Sequence, residues 1–171
     1  VKWIFGDLSF LNPSFNKTDH KDLEDKWGRE IFKRERPDLK LDKQWTNLFG
    51  EYVCREVFLL LNKKVSIPEK KENQKPDLEL EDAIIEVKTG TYHTRGTVHE
   101  KILGTPFKYS NIPRLYQKPL KIVCIGGAEK KCREYEIIGD NIPEEKKEFI
   151  QFYKKRNIEY IPITQLLLSL L

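Results

Sequence analysis

The sequence has no methionine and only three cysteines and three histidines among its 171 residues. Cys54, Cys124 and Cys132 form an odd set without a Cys-x-x-Cys pair. That argues against a disulfide framework and for free thiols in a reducing, cytoplasmic setting. His20, His93 and His99 have neither i, i+4 spacing nor neighbouring cysteines, so a tetrahedral zinc site is not expected. Long apolar runs are missing too: Val57 to Leu61 and Leu166 to Leu168 fall far short of the ~20 residues a membrane-spanning helix needs. The stretch 1–15 is broken by Asp7, Asn12 and Pro13 and lacks the basic start of a signal peptide, so secretion is not expected.

What is present is 39% hydrophobic, 11% aromatic and 34% charged, a balance that predicts a globular chain with its own core. The length suits one domain of the usual ~150 residues. The net charge of +4 is too mild to identify a partner, but it is unevenly spread. Between 88 and 121 stand Lys88, Arg95, Lys101, Lys108, Arg114, Lys118 and Lys121 against Glu100 alone, with Tyr92, Phe107, Tyr109 and Tyr116 interleaved. Cations with rings between them suit a polyanion, because phosphates need positive charge and rings supply packing. An ordinary solvated surface reads the same way.

Leu23, Trp27 and Ile31 mark an amphipathic helix over 18–35, ending before Pro37. Thr46 opens a second helix to Leu61, buried through Phe49, Val53, Val57 and Leu60. A short strand is expected at 64–67 and a charged loop at 68–76. Two more strands follow at 77–80 and 83–88, then interrupted helix over 97–116 and a buried strand over 120–125, with Gly126-Gly127 as a turn. Pro143 should open a helix that buries Phe149, Ile150, Phe152 and Tyr153. Ile158 to Ile163, broken by Pro162, reads as an edge strand, and Thr164 as the cap of a last helix. The expected fold is α/β: a mixed central sheet flanked by helices. One domain covers 1–171, with an N-terminal helical part (1–45), a core (46–125) and a C-terminal helix-strand-helix (126–171).

The hairpin carries the chemistry. If it turns at Glu81-Asp82, Leu80 faces Ala83, Leu78 faces Ile85 and Asp77 faces Glu86. Alternation then puts Leu78, Leu80, Ala83, Ile85 and Val87 on one face and Asp77, Glu79, Ile84, Glu86 and Lys88 on the other. Two opposed carboxylates repel unless a cation compensates, and Mg²⁺, a hard ion that accepts few protein oxygens, does so well. The main-chain carbonyl of Val87 could add a third ligand. Lys88 could orient or help deprotonate an attacking water, which makes metal-assisted phosphodiester hydrolysis the fitting chemistry. Acidic-x-Lys also occurs at Asp19, Glu24, Asp38, Glu69, Glu129 and Glu145, so only the apolar-backed hairpin sets this copy apart. A salt-bridged sheet face is the bland alternative.

Pro76-Asp77 followed by Glu86-Val87-Lys88 resembles the signature of the PD-(D/E)XK nuclease superfamily, over about Thr46 to Ile125. The resemblance implies a restriction-endonuclease-like αβββαβ core, Asp77 and Glu86 as Mg²⁺ ligands, and Lys88 acting on the water. Many members add a glutamate from the preceding helix; Glu51 is the candidate, with an i, i+4 pair to Arg55 as its alternative. The Gly- and Thr-rich stretch 90–97 looks most like type II restriction endonucleases. There His93, Thr94 and Arg95 could reach bases or phosphates, and Lys101, Lys108, Arg114 and Lys118 could contact phosphates of double-stranded DNA. Cutting both strands of a symmetric site implies a homodimer, to which the C-terminal leucines could contribute. A Holliday-junction resolvase, a non-catalytic DNA-binding module and a protein-interaction domain remain as alternatives.

Overall fold

The computed structural model describes residues 26, 28–30, 32–34, 36–38, 45–89 and 97–170. The described residues from 26 to 34 are helical, and Phe32 packs edge-on against Phe49, with ring centroids 5.7 Å apart. Leu23, Trp27 and Ile31, the stripe expected there, lie outside the described residues.

Helix α1 (Trp45–Leu60) leads through a loop into strand β1 (Leu78–Glu79) and strand β2 (Ile84–Thr89). Three short helices follow, α2 (Thr97–Leu103), α3 (Thr105–Lys108) and α4 (Ile112–Tyr116), divided at Gly104 and before Pro113 as the sequence suggests. Strand β3 (Leu120–Ile125), α5 (Gly127–Glu134), α6 (Glu144–Lys155), β4 (Ile158–Pro162) and α7 (Ile163–Leu168) complete the described chain. The sheet has the order β1-β2-β3-β4, antiparallel between β1 and β2 and parallel elsewhere. It is a mixed four-stranded sheet with helices on both faces, and Pro162 lies on an edge strand, where its missing N–H does no harm.

Both faces of the sheet are buried. Leu78, Leu80, Ala83, Ile85, Val123 and Ile125 pack under α1 and α7; Ile84, Leu120, Ile122 and Cys124 pack under α2, α4 and α5. Strands covered on two sides read as continuous apolar runs, each buried isoleucine or leucine contributing roughly 1.5–3 kcal/mol. Glu86, in the middle of β2, is the charged residue that these strands bury.

Several expectations change. Among the described residues the strand expected at 64–67 is reduced to a single bridge, Ser66 with Glu79, so the third strand of an αβββαβ order is not formed there. Helix α5 was not expected, because its apolar stripe is only Ala128 and Cys132, one turn apart. In α6 only Ile150 and Tyr153 turn inward; Phe149 and Phe152 are 68% and 50% exposed, because one narrow stripe suffices to cover the edge strand β4. Pro143 is the N-cap of α6 rather than its first residue, and Pro162, not Thr164, precedes α7. Leu166, Leu167 and Leu170 join the core under α1, which leaves Leu168 outside.

Candidate active site

The hairpin register is the one that the turn at Glu81-Asp82 dictates: Leu78 pairs with Ile85 and Glu79 with Ile84, and Leu80 N–H donates to Ala83 O at 2.8 Å. The apolar face is thereby fixed in the core, and Asp77 falls one step beyond the end of β1, opposite Glu86. The ladder has stopped at that point, so Val87 N–H has no strand partner on this side. The Asp77 carboxylate takes its place, with Oδ2 accepting from Val87 N–H at 2.7 Å. N–H and C=O of one strand residue point the same way, so the Val87 carbonyl faces the same open edge.

Glu86 is 4% exposed. Its Oε1 accepts from Lys88 Nζ at 2.5 Å, while its Oε2 is buried without a hydrogen-bond partner. Lys88 extends on the same face, with Nζ 5.8 Å from the centre of the Tyr109 ring. Glu51 comes from α1, which crosses β2 closely at Gly50. A Cβ on Gly50 would overlap Thr89 Cγ2 and stand 2.9 Å from Val87 Cγ1. This close crossing carries Glu51, the next residue, to the acids.

These side chains line one cleft of about 560 Å³, with Lys101, Lys108 and Tyr109 on its other wall. Burial, and after it the charge of Glu86, push the Asp77 carboxyl up to about 7. The same two causes raise Glu51 above the usual carboxylate range, with Lys75 and Lys88 opposing. Burial and the charge of Glu86 also push the Tyr109 phenol up to about 12, so it remains a hydrogen-bond donor at neutral pH. Lys108 Nζ donates to the Tyr109 hydroxyl at 3.0 Å.

Asp77, Glu86, Lys88 and Glu51 are thus brought together, and Lys101 and Lys108 stand beside them. Arg114 and Lys118 are not: Arg114 pairs with Glu72 at 3.1 Å, and Lys118 ties Glu79 to the Leu80 carbonyl, both contacts at 2.7 Å. Arg55 makes no ion pair with Glu51. His93, Thr94 and Arg95 lie outside the described residues. Tyr109, absent from the expected site, could have been found only as one ring among the cations after Lys88.

The donor set is oxygen-rich and hard: the buried carboxylate of Glu86, the half-buried carboxylates of Asp77 and Glu51, and the carbonyl of Val87. The unpartnered Glu86 Oε2 and the raised Asp77 both mark a place short of positive charge, and this fits a divalent cation of the Mg²⁺ type. Among the described residues no three acid, histidine or cysteine side chains are grouped so that they could hold a metal ion; Asp77 and Glu86 are engaged by Val87 N–H and Lys88. No family model, curated protein or solved structure matches the chain.

Proposed function

We propose that the protein is a Mg²⁺-dependent endonuclease that hydrolyses phosphodiester bonds of double-stranded DNA, acting as a sequence-specific enzyme of the type II restriction kind. The observation that carries this reading is the convergence of Asp77, Glu86 and Lys88 on one cleft, with a buried Glu86 oxygen left unpartnered. Asp77, Glu86 and the Val87 carbonyl would hold the ion, with Glu51 as a further oxygen donor. When bound, the ion supplies the positive charge that the attacked phosphate and its leaving oxygen need.

The remaining work belongs to the chain itself. Lys88 Nζ, fixed by Glu86 and lying over the Tyr109 ring, orients the attacking water and balances charge accumulating on the phosphate. Lys101 and Lys108 hold the phosphates of the substrate against the far wall. Water adds to phosphorus, the P–O3′ bond breaks and the 3′ oxygen takes up a proton, leaving 5′-phosphate and 3′-hydroxyl ends. Cutting both strands of a symmetric site calls for two copies of the chain, so the active form is a homodimer.

The test is incubation with unmodified plasmid and phage DNA plus Mg²⁺, wild type beside Asp77→Asn and Lys88→Ala. Discrete fragments, lost in both variants and with EDTA, support the proposal. Cutting of four-way junctions but not plain duplex would replace it with a junction resolvase. Gel shifts without nicking would replace it with a binding module. Sedimentation with and without DNA reads the dimer.

A further inference from the structure

The active-site cleft does not end at its carboxylates. A second hollow of about 310 Å³ opens on their other side, and the two share Glu51 and Asp77 as a common wall. The local sequence explains what lines it. Arg55 is one helical turn from Glu51 on α1 and so faces the same way, and Lys75 stands two residues before Asp77 on the segment entering β1. Tyr52 and Ile67 provide an apolar floor, with Ile67 65% exposed.

Lys63, Arg114 and Lys118 are each bound to an acid, whereas Arg55 and Lys75 have no hydrogen-bond or ion-pair partner among the described residues. Lys75 nevertheless lies close enough to Glu51 for its charge to oppose the effect of burial there. On the opposite flank the first cleft carries Lys101 and Lys108, with Glu100 as counter-charge. Positive charge therefore flanks the acids on both sides, which suits an extended polyanion and not a small anion that would meet the carboxylates alone.

We infer that DNA crosses both hollows, with its reacting phosphate at the carboxylates and Arg55 and Lys75 gripping phosphates on the side away from Lys101 and Lys108. The identity of the polyanion rests on the nuclease reading; the path rests on the two joined hollows and their charge. Arg55 and Lys75 are thus substrate-binding residues outside the stretch 88–121, where the sequence concentrates its basic excess.

The experiment is fluorescence anisotropy of a fluorescein-labelled duplex in Mg²⁺-free buffer, titrated with NaCl. Each phosphate contact contributes roughly 0.9 to the slope of log affinity against log salt, so Arg55→Gln/Lys75→Gln should lower the slope by roughly 1.8. Arg55→Lys keeps the charge and should keep its share of the slope. Lys147→Gln/Lys155→Gln on α6 removes the same net charge from residues that line neither hollow and should leave the slope unchanged. A wild-type slope in the Arg55/Lys75 variant, or an equal fall in the α6 variant, overturns the inference. Cleavage is scored separately with Mg²⁺. A protein that cuts DNA but ignores Arg55 and Lys75 refutes the path alone, and one that binds with the expected slopes but never cuts refutes the nuclease reading alone. A wild type that fails to bind even at low salt refutes both.

Discussion

Replacing Asp77 by asparagine should stabilise the metal-free protein at neutral pH while removing its response to Mg²⁺. The Asp77 carboxyl is raised from 3.8 to about 7 by burial and then by Glu86. A carboxyl raised on folding holds its proton more tightly in the folded state. Its contribution to stability is therefore complete below 3.8 and is lost as pH rises to about 7. That interval corresponds to about 4 kcal/mol at most, shared with Glu86 and Glu51, whose charges act on the same carboxyl. Asparagine carries no charge at any pH, and its amide oxygen can still accept from Val87 N–H. Urea unfolding of both proteins across the window set by those two values gives the difference in stability. The variant should gain on the wild type steadily as pH rises, then hold a constant lead. Adding Mg²⁺ above the window should raise the wild type by an amount that grows with the logarithm of its concentration, with little change in the variant. Stability curves that run parallel throughout the window, or an equal Mg²⁺ response in both proteins, would refute the reasoning.

Lys88→Gln keeps a donor beside Glu86 but loses the charge; cleavage should fall by about 100-fold or more in single-turnover assays, with duplex affinity changed by less than one phosphate contact's worth. Gly50→Ala should cost about 1–3 kcal/mol in urea unfolding, since its Cβ overlaps Thr89, and should slow cleavage by displacing Glu51 from the strand that carries Lys88. Glu129→Ala removes the acceptor for Arg133, Thr164 N–H and Thr164 Oγ1, and should cost about 2–3 kcal/mol by the same measurement, with cleavage per folded molecule unchanged.

The hairpin was legible because two independent constraints agree on it. Period-two alternation gives Leu78, Leu80, Ala83 and Ile85 one face, and the two-residue connection at Glu81-Asp82 gives the register. Their agreement leaves Asp77 and Glu86 no position other than side by side. Elements that depend on a partner far along the chain were harder to read. Phe149 and Phe152 look like core residues by type, but α6 needs to cover only one edge strand, and that width is a property of the finished sheet. The same holds for α5, whose two small inward residues carry no periodic signal. It also holds for Arg114 and Lys118: their charge suggests phosphate, but Glu72 and Glu79, distant in sequence, claim them first.

A comparison within the chain bears on whether the acids of β2 are structural. Glu129 is as buried as Glu86, at 2% against 4% exposure, and both of its oxygens are engaged by Arg133 and Thr164. That arrangement ties α5 to α7 and is how a fold satisfies a carboxylate it keeps for stability. Glu86 has the same burial, a hydrogen bond from Lys88 on one oxygen, no hydrogen-bond partner on the other, the Tyr109 phenol beside the carboxylate, and two further acids close enough to raise each other's proton affinity. A salt-bridged sheet face would place these groups in water or give them partners, as happens at Glu79 with Lys118. Like charges held together in a partly buried cleft cost stability, and they suit a chain in which a cation and a substrate complete the site.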